Sequence, residues 1–392
     1  MRTRYLVPLC LLVLVCSACA DRSLGTHEPL APPTLAEVPE LVADGDALAP
    51  KSVHPLIAAG RLGRPVDLLF VVDDSSSMEP KQWSLRQRFG RLIDRLRAEG
   101  GDGYDLHVGV TTTDVGTPGY DCGHARGGVL TRKGAIAADA CGELSATAPY
   151  LTYQSSTGAT NAPSGAGIVD AFGCLAAAGS LGCGYEMPLE AAYRVLATDD
   201  TGFVRPDATL VLVLVTDEDD CSVDDPASAL FASVSDAVLG PRNSFRCARF
   251  GVVCDGALLP DQAGGPYERC RPAEPSDGGK LASVEKYARL FFASRADGGL
   301  KDDPDRVVFA TLAAAATSIS TVRAEGHQAC GTSSTSCTQL APSCVRGDRK
   351  GDPALRLAAL ATQGSRVVQA SICDDDYADF FDAIGNAITT LH

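Results

Sequence analysis

A seven-residue run, Val66 to Val72, is apolar except for Asp67 and ends on the polar stretch Asp73-Asp74-Ser75-Ser76-Ser77. A nearly unbroken run of this length predicts a strand buried on both faces. Pro80 follows where a first helical turn tolerates it. Leu85, Phe89, Leu92, Ile93 and Leu96 then recur at helical spacing until Gly100-Gly101. A second strand is expected over Leu106 to Thr113. Helices are expected over Ile168 to Ala178 and from Pro188 onward through Leu189, Tyr193 and Leu196. Thr209 to Thr216 is the clearest buried strand. After it come a helix marked by Leu281, Val284, Tyr287 and Phe291, a strand over Val307 to Leu312, and a helix over Ala354 to Ala361. A strand over Arg366 to Ile372 and a last helix carrying Phe380, Phe381, Ile384, Ile388 and Leu391 complete the pattern. Gly128 to Thr131 reads as a short partner strand, and the rest of 114–165 as loop. Strand and helix alternate, which implies an α/β fold: a Rossmann-like, doubly wound, mainly parallel sheet with helices on both faces. Ligands of such sheets bind outside the carboxyl ends of the strands.

Two turn-rich stretches interrupt the alternation. Residues 221–278 hold four cysteines and residues 325–350 hold three, so both read as disulfide-rich insertions. The first 18 residues read as a targeting signal. Arg2 and Arg4 precede the apolar run Tyr5 to Val15, which is too short to span a bilayer. Cys16-Ser17-Ala18-Cys19 resembles a bacterial lipobox, with Cys19 as the acylated residue. Cys16 stands where Leu or Val is usual, and a conventionally cleaved signal peptide is the alternative. Residues 19–60, with "EPLAPPTLAEVPE", read as a Pro- and Ala-rich tether, and 61–392 as the folded domain.

Three of the 15 cysteines fall in the signal region. The other twelve are Cys122, Cys141, Cys174, Cys183, Cys221, Cys247, Cys254, Cys270, Cys330, Cys337, Cys344 and Cys373. An exported chain meets an oxidising compartment, so all twelve are disulfide candidates, with connectivity left open. Among these twelve no C-x-x-C pair is present and no histidine completes a cysteine cluster, which argues against zinc. The chain is acidic, with 49 Asp plus Glu against 34 Lys plus Arg. That excludes the basic footprint of a nucleic-acid binder and electrostatic docking on anionic lipid. Membrane contact is then expected through the lipid anchor alone.

The chemistry gathers at predicted strand ends. Asp73, Ser75 and Ser77 are alternate residues of one tight loop, so three short oxygen-bearing side chains can converge. One carboxylate and two neutral hydroxyls suit a hard cation, Mg²⁺ first, with Ca²⁺ or Mn²⁺ compatible. Asp217, just past the most apolar strand, supplies a second carboxylate. A bland alternative is that Asp73 or Ser75 caps the helix after Pro80. Asp74 and Asp219-Asp220 read as solvated rim charges. Asp114 reads as a turn residue or a brace for the site, and Asp374-Asp375-Asp376 as a cap for the last helix.

Asp73-Asp74-Ser75-Ser76-Ser77-Met78 after a buried strand, with Thr216-Asp217-Glu218 after a later one, resembles the metal-ion-dependent adhesion site of the von Willebrand factor type A family. The likeness is shared with bacterial lipoproteins of that kind. It spans roughly residues 62–391, departing at the two insertions. It implies a cation held by Asp73, Ser75, Ser77 and Asp217, with an acidic side chain of a protein partner completing the coordination. The family's threonine before the Asp217 strand is missing; "GCGYEMPLEAA" stands there, and Glu186 is the nearest oxygen donor. Glu186 is either a ligand to the metal or its water, or a carboxylate near a helix amino terminus.

None of the six histidines lies in a recognisable catalytic motif, and no G-x-S-x-G, H-E-x-x-H or P-loop pattern is present. His107 reads as a core or rim residue. The expectation is therefore a non-enzymatic, lipid-anchored envelope protein, with the outer membrane favoured, that performs metal-dependent recognition or adhesion. The alternative is an envelope scaffold or assembly factor whose metal only braces the fold.

Overall fold

The computed structural model describes residues 65–391 apart from 101–102, 118–124, 136–141, 156, 225–228, 233–234, 237, 327–329 and 331–333. The targeting segment, Cys19, the tether, Cys122 and Cys141 lie outside the described residues. Six strands form the central sheet: β1 (Val66–Val72), β2 (Asp105–Thr112), β3 (Leu151–Gln154), β4 (Thr209–Val215), β5 (Val307–Ala313) and β6 (Arg366–Ser371). Their order is β6-β5-β4-β1-β2-β3, parallel throughout except for the antiparallel edge strand β3. The expected mainly parallel doubly wound sheet is therefore present, and its connections reverse direction between β1 and β4.

Strand residues alternate between two cores. Leu68, Phe70 and Val72 of β1 face helices α1 (Glu79–Gly100), α2 (Ile168–Leu175) and α6 (Ala378–Thr389). Phe70 meets Phe89 and Phe172 there, at centroid separations of 5.9 and 4.7 Å. Leu69 and Val71 face α3 (Pro188–Ala197), α4 (Val284–Phe292) and α5 (Leu355–Ala361), among Leu212, Tyr287, Phe291 and Phe309. Because both faces are covered, β1 and β4 carry nearly continuous apolar runs rather than alternating ones.

Asp67 interrupts the apolar run for a reason. It is fully buried, and Arg205 donates to it from both Nε (2.8 Å) and backbone N (2.7 Å). Buried Lys301 lies 3.7 Å away. Burial pushes the Asp67 carboxyl up to about 6, against the pull of these cations.

Two expectations change. Gly128 to Thr131 is a turn lying on β2, where Thr131 N donates to Val110 O (2.6 Å); it forms no strand. The strand beside β2 is instead Leu151–Gln154, inside the stretch read as loop. Its Leu151 and Tyr153 point into the core while Gln154 is exposed.

Both insertions carry disulfides. Cys221–Cys247 and Cys254–Cys270 pin the first, and Cys330–Cys337 closes the second. Cys344–Cys373 ties a two-stranded hairpin, residues 344–351, to the end of β6. Cys174 and Cys183 are also disulfide-bonded. Among the described residues no helix is long and apolar enough to cross a membrane.

Candidate metal centre

Val72 of β1 lies opposite Thr112 of β2 and Val215 of β4. The next residues, Asp73, Thr113 and Thr216, therefore leave the sheet at one level, beside the point where strand order reverses. Asp73 N donates to Val215 O (2.9 Å), which fixes the start of the loop. Asp73 Oδ1 accepts from Ser75 N and Asp73 Oδ2 from Thr216 Oγ1, both at 2.8 Å. The hydroxyls of Ser75 and Ser77 are 3.1 Å apart, and Ser77 Oγ donates to Asp217 Oδ1 (3.0 Å). Asp73, Ser75, Ser77 and Asp217 thus meet around one rim. Asp73, Ser75 and Asp217 are buried, whereas Ser77 is exposed.

Helix α1 contributes two polar side chains to this centre. Gln82 Nε2 donates to Asp73 O and Gly179 O, both at 2.8 Å, so it pins the loop to the chain leading into α3. Lys81 Nζ donates to Asp217 Oδ2 and to Lys350 O. Neither was singled out from the sequence. Yet Lys81, Leu85 and Phe89 repeat every four residues, so a lysine continues the inward stripe of α1 toward the strand ends. Thr216, which holds Asp73, reads in the sequence only as the end of an apolar strand and the start of the Thr216-Asp217-Glu218 motif.

The centre is crowded with carboxylates. Burial, then the Asp217 carboxylate, push Asp73 up to about 6. Burial pushes Glu218 well above the usual range, with Asp352 and Asp217 adding to it; burial and Asp217 push Asp352 up to about 7. Asp352 N donates to Asp217 O (2.7 Å), which brings this segment to the rim.

Glu186 is fully buried. Thr113 Oγ1 donates to its Oε2, and its Oε1 has no hydrogen-bond partner. Burial, then Asp73, raise its carboxyl well above the ordinary range, which favours the protonated form. It forms no hydrogen bond with Asp73, Ser75, Ser77 or Asp217. Among the described residues, no group of three or more His, Cys, Asp or Glu side chains could by itself hold a metal ion. A cation at this rim would therefore depend on the two serine hydroxyls.

The acids read as solvated are not solvated. Asp74 is buried, both its oxygens lack hydrogen-bond partners, and Arg126 Nη2 stands 3.6 Å away. Burial, with Asp73 and Asp114 nearby, pushes it up to about 7. The next loop closes over it: Gly182 N donates to Asp74 O (2.8 Å). A Cβ on Gly182 would lie 2.5 Å from Asp74 Oδ1 and 2.8 Å from Asp74 O. Gly182→Ala is expected to cost about 2 kcal/mol, read as a lowered denaturation midpoint, because the backbone there has no room to move. Asp114 braces the same loop, accepting from Gly116 N (3.0 Å) and Cys183 N (3.1 Å). Asp219 accepts from the backbone N of Arg356 (2.9 Å) and Leu357 (3.2 Å) and so caps α5, while buried Asp220 pairs with buried Arg356 (3.0 Å). Asp376 accepts from Ala378 N (2.9 Å) at the start of α6, the capping role expected of its run. His107 Nδ1 is 3.0 Å from Phe203 O, at the other end of the sheet.

No protein-family model matches the chain, and no curated protein matches it. Solved structures do. One is the pilus adhesin SpaC of Lactobacillus rhamnosus GG, at 14% identity and a TM-score of 0.32; the match covers 82% of this chain and 30% of the adhesin. This chain therefore spans about a third of that protein's length. Another is the von Willebrand factor domain of the type V pilus tip protein Mfa5 of Porphyromonas gingivalis. It shows 12% identity and a TM-score of 0.30, over 83% of this chain and 95% of that one. Likeness at this level carries no weight for function. The strand order and loop geometry stand on their own.

Proposed function

We propose that this is a metal-dependent recognition domain, with Asp73, Ser75, Ser77 and Asp217 holding one divalent cation, Mg²⁺ in first place. The supporting observation is the meeting of two buried carboxylates with two serine hydroxyls, one of them open to solvent. The buried acids supply the charge a hard cation needs. The exposed Ser77 side leaves a path by which an acidic side chain of a protein partner can reach the ion. When bound, the cation would act as a Lewis acid toward that carboxylate.

The rim has material for choosing a partner. Leu181 (64% exposed) precedes Gly182, and Val345 (59%) faces Lys350 across the hairpin. Exposed aliphatic side chains on segments that reach the centre suit a protein partner better than a small ion alone. We assign the domain no reaction. We further propose that it is held at the cell envelope, outer membrane favoured, through a lipid on Cys19.

A scaffold whose metal braces the fold is the second reading, favoured by the deep burial of Asp73 and Asp217. Chelation separates the two. Recognition requires that partner binding be lost on chelation while the domain stays folded; bracing requires a lower melting temperature with partner affinity unchanged.

Metal loading has its own pH signature. Asp73, Asp74 and Asp352 sit at about 6 to 7 in the metal-free fold, above their unfolded values. The native state then binds more protons than the unfolded one, so stability falls as pH rises from about 4 through 7. We expect the metal-free melting temperature to be about 5 °C or more higher at pH 5 than at pH 8. Saturating Mg²⁺ should flatten or invert that slope, since the ion takes ionised carboxylates. Equal slopes with and without Mg²⁺ would count against loading here.

A further inference from the structure

We propose that Lys81 is a built-in cation of this centre that shares the Asp217 carboxylate with the divalent ion and keeps metal affinity low. The proposal rests on the metal reading above. Lys81 is almost wholly buried in the first turn of α1, and its ammonium has two partners, Asp217 Oδ2 and Lys350 O (2.8 Å). A lysine removed from water at this depth is costly unless its charge is compensated. The compensation is plain: Asp217 is in contact, and Glu218 and Asp352 both feel the ammonium.

The geometry of Asp217 makes the competition explicit. One oxygen accepts from Ser77 and the other from Lys81. A divalent ion held by Asp73, Ser75, Ser77 and Asp217 would therefore bind beside an existing positive charge on the same carboxylate. Either the ammonium withdraws from Asp217 or both cations remain and repel; each outcome weakens metal binding. The same charge has a second consequence. Where both cations remain, Lys81 neutralises Asp217, and the loaded centre keeps a net positive charge from the ion and Asp73 that attracts an anionic side chain. Lys81 thus trades metal affinity for anion acceptance.

The experiment is calorimetric titration of Mg²⁺ into wild type, Lys81→Met, Lys81→Arg and Asp73→Ala, with melting curves for each. Lys81→Met is expected to bind Mg²⁺ about tenfold tighter or more. Its metal-free melting temperature should fall, and its rise on adding Mg²⁺ should exceed that of wild type, because the ion replaces the missing charge. Lys81→Arg should stay close to wild type. If Lys81→Met does not fold, Lys81→Gln carries the same comparison. Unchanged or weaker Mg²⁺ binding in a folded Lys81→Met or Lys81→Gln overturns the proposal while leaving the metal reading intact. Mg²⁺ binding in none of the proteins overturns both.

Discussion

Asp73→Ala is expected to lower Mg²⁺ affinity on the order of 100-fold or more while the domain remains folded. Asp73 is the residue on which the loop is built. Its two oxygens orient Ser75 N and Thr216 Oγ1, and its backbone carbonyl receives Gln82. The substitution removes a charged donor and also frees the serine loop whose hydroxyls are the remaining ligands. The fold survives because the two lost hydrogen bonds, about 1 kcal/mol each, are partly offset. Asp73 is a buried carboxylate facing Asp217, and the metal-free protein is relieved of that repulsion. Titration calorimetry gives the affinity and circular dichroism the fold. Affinity unchanged from wild type would remove Asp73 from the ligand set.

Asp220→Ala should have the largest effect on stability, about 3–5 kcal/mol, read as a lower urea midpoint. Asp220 is buried and accepts from Leu189 N at the start of α3 (3.2 Å), Ser222 Oγ (2.5 Å), and Arg356 Nε (3.2 Å) and Nη2 (3.0 Å). It therefore joins three segments: α3, the start of the first insertion, and α5. Alanine would leave the buried Arg356 guanidinium with Ala282 O (2.7 Å) as its remaining hydrogen-bond acceptor. The double variant Asp220→Ala, Arg356→Met should recover part of the loss, because it removes the stranded charge. A cost under about 1 kcal/mol for the single variant would mean that water reaches Arg356.

The parallel sheet was legible because both its faces are covered. Burial on two sides writes β1, β4 and β5 as nearly continuous apolar runs, and the helices between them keep a 3.6-residue stripe. Edge strand β3 was not legible. Four residues, Leu151–Gln154, carry only two cycles of alternation, and the strand they pair with, Asp105 to Val108, lies far upstream in the chain. At the rim, Asp73, Ser75, Ser77 and Asp217 could be read from spacing, since three sit in one loop and the fourth follows the most apolar strand. The burial of Asp74 and Asp220 and the capping role of Asp219 could not. Consecutive acids look solvated in a sequence, and the groups that hold Asp219 and Asp220, Arg356 and the amino termini of α3 and α5, come from distant segments. Lys81 escaped for a related reason: a charged residue early in a helix reads as solvent-facing until Asp217, 136 residues later, is brought against it.

Everything proposed for this domain depends on serine and aspartate oxygens from two chain segments holding one hard ion. Soaking crystals of the folded domain with Mn²⁺ and recording anomalous diffraction at the manganese edge tests it directly. One strong peak is expected among the side-chain oxygens of Asp73, Ser75 and Ser77, on the side facing Asp217, and it should disappear in Asp73→Ala. A peak elsewhere, or none at saturating Mn²⁺, would contradict it.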